Sequence, residues 1–212
     1  MKKYFWKWST LLIAMIILSS CTLATIRTIE DDGIAKEGFS ADQYVSSIWE
    51  NEFIPTIEEN AIDIVQLLKE LDQNEDKAIE SYGNRTSNGA YSFMIEADVQ
   101  ILSVNRESRV GLAELDLLPA DGKADLFLAI GPVLRGNALR DAVGFIKFND
   151  FTNQVEFAQV SDALKTRVDT DVLSQANIDD LVGQNVHILG ALTYDDPEEI
   201  IIMAVRLEAI DE

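Results

Sequence analysis

Tyr91-Ser-Phe-Met-Ile-Glu-Ala-Asp-Val-Gln-Ile-Leu-Ser-Val104 repeats with period two, putting Phe93, Ile95, Ala97, Val99 and Ile101 on one side and mostly polar residues on the other. Alternation over that length reads as one long strand with a single buried face. Ser108 to Leu118 repeats the pattern through Val110, Leu112, Leu115 and Leu117, and Pro119-Ala-Asp-Gly122 supplies turn chemistry before a third strand, Lys123 to Ile130, that Gly131-Pro132 ends. A mixed, mostly helical region runs to about Val182. Val186 to Tyr194 and Ile200 to Leu207 then read as two further strands joined through Asp195-Asp196-Pro197. Three consecutive strands, a helical crossover and two final strands is the order of a five-stranded OB-type barrel with a helical insertion between its third and fourth strands.

Upstream, the period changes to that of a helix. Tyr44, Ile48 and Trp49 fall at helical spacing after Ser40, which can cap the segment, and Pro55 separates it from a second helix. In that second helix Ile57, Ala61, Ile64, Val65, Leu68 and Leu71 form an apolar stripe opposite Glu58, Glu59 and Asp63, a pattern that packs against a core. A third short helix, about Glu75 to Tyr82, is expected to end at Gly83 in the left-handed cap conformation. The fold expected is therefore α+β: a helical layer over 40–83 on an OB-like barrel over 91–212. With no Gly/Ser-rich or Pro-rich linker between them, residues 40–212 read as a single globular unit.

The N-terminus is set apart from this body. Lys2, Lys3 and Lys7 precede an uncharged apolar run of eight residues, Leu11 to Leu18, and Ser19-Ser20-Cys21 follows. A spanning helix needs about 20 apolar residues, so the run reads as the core of a secretory signal over 1–20. The competing reading, an uncleaved anchor from Tyr4 to about Ala24, would have to bury Lys7. Leu18-Ser19-Ser20-Cys21 resembles the lipobox of bacterial lipoproteins, in which the Cys becomes the acylated first residue; Cys21 is the sole Cys of the chain. Residues 21–39 then form a tether from a membrane anchor to the globular unit, which places the protein on the periplasmic or extracytoplasmic side.

Composition narrows the function. The 212 residues carry 17 Lys+Arg against 37 Asp+Glu, a formal charge of -20. Loss of residues 1–20 removes three Lys and no acid, taking it to -23. Such a surface opposes nucleic acid and anionic lipid as partners. One Cys and one His leave no internal disulfide, no Cys/His catalytic pair and no usual metal cluster, and no cofactor fingerprint is present. His187, in an alternating apolar strand, reads as half-buried. Asp121-Gly-Lys-Ala-Asp125 lacks the remaining ligands of a calcium loop and reads as a solvated turn. Asn84-Arg-Thr86 fits a glycosylation triplet, a pattern common by chance.

The residues singled out for binding lie in Gly131-Pro-Val-Leu-Arg-Gly-Asn-Ala-Leu-Arg-Asp141 and Gly144-Phe-Ile-Lys-Phe-Asn-Asp-Phe-Thr-Asn-Gln154. Arg135 and Arg140 are fork-shaped donors suited to carboxylate or phosphate. Asp141, Asn149, Asp150, Asn153 and Gln154 are the residue types that recognise sugar hydroxyls. The same residues have structural roles open to them: Asp150 or Thr152 can cap a helix beginning near Thr152, and Arg140 can pair with a nearby acid.

Those two stretches, with Phe39-Ser-Ala-Asp-Gln-Tyr-Val-Ser-Ser-Ile-Trp49, Ile54-Pro-Thr-Ile-Glu-Glu-Asn-Ala61 and Asp195-Asp-Pro197, resemble a family of bacterial predicted periplasmic lipoproteins catalogued as domain of unknown function 2291. Members are often encoded beside sugar ABC transporters, so the resemblance implies a link to carbohydrate uptake, with the transporter or its binding protein as partner and a small carbohydrate as ligand. No catalytic or binding residue comes with it. Three functions follow as expectations: a non-enzymatic binding or accessory module, an interaction protein docking through its Tyr44 to Leu71 face, and a carboxylate-dependent glycan hydrolase.

Overall fold

The computed structural model describes residues 38–86 and 89–210. The signal peptide, Cys21 and most of the tether expected from the sequence lie outside the described residues. From Ala41 onward the described chain belongs to one compact unit. It opens with α1 (Ala41–Ile48), a π turn over Trp49–Phe53 and α2 (Ile54–Asn60), whose first turn accommodates Pro55 because a helix's first N–H groups need no partner within it.

Here the expected second helix is interrupted. Ala61 takes an extended conformation (ψ 136°), and β1 (Ile62–Asp63) lies parallel to Ile95 and Glu96 of the long strand that follows. Asp63 then caps α3 (Ile64–Tyr82), its carboxylate accepting the Gln66 N–H at 2.9 Å. Because α3 restarts the helical phase, the expected stripe is redistributed. Ile57, Ile64 and Leu71 are buried, Val65 is half exposed (50%), and Leu67 takes a core place. Asn74 breaks α3 (φ −163°, ψ 88°) and its side chain receives the Lys77 N–H at 3.1 Å, which is where the separate third helix was expected to begin. Gly83 is not left-handed as expected: it is extended (φ −82°, ψ 133°), its N–H closing on Ile79 O. A Cβ there would meet that carbonyl oxygen at 2.8 Å, so close approach explains the glycine.

The sheet follows with β2 (Tyr91–Asn105), β3 (Leu112–Leu117) and β4 (Leu126–Ala129). After them come α4 (Ala138–Ala142), a 3-10 turn over Phe148–Asp150, α5 (Gln154–Val168), a π turn, α6 (Ser174–Ala176) and a second 3-10 turn over Ile178–Leu181. The chain returns to the sheet as β5 (Asn185–Tyr194) and β6 (Ile201–Ala209). Among the described residues the sheet has six strands, not five, ordered β1-β2-β3-β4-β6-β5; the addition is the two-residue β1. β4 and β6 pair in parallel, and β2 pairs with both β3 and β5, so the pairing returns to the strand where it began.

The five apolar positions of β2 that set the sequence reading, Phe93, Ile95, Ala97, Val99 and Ile101, are all at or below 1% exposure, and Leu115, Leu128, Ile188 and Ile202 from other strands are fully buried with them. Two glycines permit close backbone contacts. A Cβ on Gly131 would fall 2.2 Å from Val110 O, and one on Gly190 would fall 2.3 Å from Met203 O, beside the register shift of the β5–β6 pair. α2 and α3 pack on β2, whereas α1 packs against α5. No helix of the described residues is long and apolar enough to cross a membrane.

Candidate functional site

α4 rests on β2 and β5 and carries Arg140 inward to 6% exposure. A guanidinium so desolvated is costly unless its N–H groups are satisfied. Nε donates to Asp141 Oδ1 at 2.8 Å, Nη1 donates to Phe157 O at 3.2 Å, and the guanidinium carbon sits 3.8 Å from the centroid of the Phe157 ring. Asp141 Oδ1 also accepts the Thr86 hydroxyl at 2.7 Å. Nη2 makes no hydrogen bond among the described residues. Arg140 also lines a cleft, and Nη2 is the guanidinium nitrogen that the described residues leave without a protein partner.

That cleft encloses about 460 Å³ and is lined by Thr86, Asn137, Arg140, Phe148, Gln154, Phe157 and Ala158. In its aromatic wall Phe148 and Phe157 meet edge to face at 5.6 Å and 87°, and Phe151 packs on Phe157 at 5.6 Å with a tilt of 46°. Phe148 remains 45% exposed. Asn137 Oδ1 accepts the hydroxyl of buried Ser161 at 2.8 Å, which leaves the Asn137 NH₂ without a protein acceptor among the described residues. No Asp or Glu is among the lining residues.

The residues singled out in the sequence are dispersed. Arg140 and Gln154 share this cleft, with Asp141 behind it as the ionic partner of Arg140. Arg135 does not join them. It is exposed, has no ion pair or hydrogen bond among the described residues, and lines a second cleft of about 550 Å³ with Ser108, Thr193, Asp195, Asp196 and Glu199. Asn149 and Asp150 are exposed on the 3-10 turn, where Asp150 accepts the Lys147 N–H at 3.3 Å. Asn153, rather than Asp150 or Thr152, caps α5, its Oδ1 accepting the N–H groups of Val155 and Glu156 at 2.9 and 3.0 Å. Thr86, Asn137, Phe148 and Phe157 were not singled out. The spacing of Phe145, Phe148, Phe151 and Phe157 was the available sign of an aromatic wall.

Other polar features are occupied by structure. In the 116–125 turn, buried Asp116 accepts the N–H groups of Asp121 and Gly122, Asp125 accepts that of Leu117, and the Lys123 ammonium and N–H hold the Asp121 carboxyl below its usual range. His187 Nδ1 lies 2.7 Å from Asp98 across the β2–β5 pair. Burial, then the charges of Glu52 and Asp150, push the Tyr44 hydroxyl above the ordinary tyrosine value; burial, then Glu75 and Asp72, do the same at Tyr194. A groove of about 780 Å³ follows the exposed side of kinked α3 from its Asp63 cap, with the Gln66 amide donating to Glu70.

A family described as predicted periplasmic lipoprotein, DUF2291, matches residues 11–208 of this sequence. The chain belongs to that family. As a family member it is an exported, membrane-anchored lipoprotein of the periplasm. No curated protein matches it. Among solved structures, an OB-fold protein from Thermotoga maritima MSB8 is similar over 82% of this chain and 100% of its own, with a TM-score of 0.65 and 22% identity. At that identity the likeness concerns the fold, and it agrees with a mixed α+β chain built round a six-stranded sheet.

Proposed function

We propose that this lipoprotein is a non-enzymatic binding module of the cell envelope, anchored through acylated Cys21, that takes a small carbohydrate in the Arg140 cleft and serves a sugar ABC transporter or its binding protein. One observation carries the reading: a buried guanidinium with a single open N–H₂ group meets an exposed aromatic ring and two side-chain amides in a concave site. Carbohydrate sites need these parts, an apolar face for the C–H side of the ring and directed polar groups for its hydroxyls. The cyclic pairing of β2, β3, β4, β6 and β5 supports reading the sheet as an OB-like barrel, with the α4–α6 region as its insertion and residues 40–212 as one unit.

The hydrolase reading is less well served. Glycoside hydrolysis uses two carboxylates flanking the bond, and this cleft is lined by none. Docking through the Tyr44 to Leu71 face is also less well served, because Ile48, Trp49, Ile57, Ile64, Leu67 and Leu71 are spent on the core. The test is calorimetric titration of the detergent-solubilised full chain with a panel of neutral and charged mono- and disaccharides. Saturable binding that Phe148→Ala abolishes supports the reading; uniform absence of binding overturns it.

A further inference from the structure

The hydrogen-bonding inventory of the cleft is one-sided. The acceptors nearest Arg140 are engaged: Asp141 Oδ1 receives both Arg140 Nε and the Thr86 hydroxyl, Asn137 Oδ1 receives Ser161, and the Phe157 carbonyl receives Arg140 Nη1. Among the lining residues the balance left over favours donors: Arg140 Nη2 and the Asn137 NH₂ have no protein acceptor among the described residues, and the Gln154 amide offers one donor group and one acceptor. A neutral sugar offers hydroxyls that both give and accept and leaves such a surface half used. A carboxylate only accepts, and a charge-assisted bond from guanidinium to carboxylate is about twice as strong as a neutral one.

We infer that the ligand of this cleft is a polyhydroxylated monocarboxylate, a sugar acid, bound with its carboxylate at Arg140 Nη2 and its ring or chain against Phe148. This rests on the binding reading above and narrows it. The charge count favours one negative charge over two. Arg140 is the lone cation among the lining residues and already shares its charge with Asp141, in a chain of formal charge -20, so a phosphate dianion would meet more repulsion than compensation. The second cleft, where Asp195, Asp196 and Glu199 surround Arg135, lacks a buried donor of this kind.

The experiment compares glucose, glucuronate, gluconate and glucose 6-phosphate on the detergent-solubilised full chain by calorimetry. Glucuronate or gluconate is expected to bind at least about tenfold more tightly than glucose, and glucose 6-phosphate less tightly than either acid. Arg140→Lys, which keeps a cation but loses the fork, should shrink the ratio of acid to glucose affinity, and an unchanged ratio counts against the inference. If that variant unfolds, Gln154→Ala at the exposed rim serves instead, with about a fivefold loss on the acid and an unchanged melting temperature. Glucose binding as tightly as the acids, or the phosphate binding most tightly, overturns the sugar-acid inference and leaves carbohydrate binding standing. No binding by any of the four, with none across the wider panel, overturns both.

Discussion

Replacing Arg140 by Met keeps an unbranched apolar stem and removes three interactions at once. The hydrogen bond to Phe157 O is worth about 1 kcal/mol net, and a desolvated stacking contact with the Phe157 ring about 1–2 kcal/mol. Breaking a buried ion pair costs about 3–5 kcal/mol when the partner is left fully desolvated. Asp141 keeps 18% side-chain exposure and the Thr86 hydroxyl, so about 1–2 kcal/mol is the fitting share here. Against these, the Met side chain gains apolar contact worth about 1 kcal/mol. The net expectation is a loss of about 2–4 kcal/mol, which at a urea slope of about 2 kcal/mol/M lowers the midpoint by about 1–2 M. Far-UV circular dichroism during urea unfolding reads this directly. Asp141→Asn and the double variant complete a cycle in which the pair should show at least about 1 kcal/mol of coupling. A midpoint unchanged by Arg140→Met, or strict additivity in the cycle, would refute the claim that Asp141 and Phe157 hold the guanidinium in place.

Asn153→Ala should cost about 1 kcal/mol in the same assay, since it frees two N–H groups of α5, and should leave sugar binding intact; lost binding with unchanged stability would make Asn153 a ligand contact after all. Gly131→Ala forces a methyl group against Val110 O and should destabilise by about 2–3 kcal/mol, with a wild-type melting curve as the contrary result. Tyr44 should ionise late in an absorbance titration at 295 nm, because burial and then Glu52 and Asp150 disfavour its phenolate. With the folded value raised, its contribution to stability is intact below the ordinary tyrosine range and is lost as the pH climbs through the folded value; Tyr44→Phe should remove that alkaline slope, and an unaltered slope counts against it. Cys21→Ser should abolish incorporation of labelled palmitate in cells, and continued labelling would place the anchor elsewhere.

The strands were legible because their signal is local. β2 alternates cleanly enough that its five inward positions could be named from sequence, and Asp195-Asp196-Pro197 marks the turn before β6. The helical layer was less legible at Ala61, where an apolar periodicity of three and four continues across a break that depends on a distant partner. Ile62 and Asp63 leave the helix to pair with Ile95 and Glu96, and nothing in the stretch 57–71 announces that ladder. The candidate site shows the same division. Arg140 was conspicuous as a cation in an acidic chain, but Arg135, five positions away and equally conspicuous, goes to a different cleft because it precedes α4 rather than lying within it. Thr86 and Asn137 became part of the site through contacts spanning 55 and 24 residues of chain, to Asp141 and Ser161, which no spacing rule reaches.

Ligand binding is proposed for the Arg140 cleft rather than for the Arg135 cleft. Side-chain nuclear magnetic resonance on the ¹⁵N-labelled full chain in detergent, with glucuronate added, tests it at the atoms concerned. Shifts are expected at the Arg140 Nε–H and at the amide groups of Asn137 and Gln154, with the Arg135 Nε–H unmoved. Movement at Arg135 and in the 195–199 loop with the Arg140 signal fixed would contradict it.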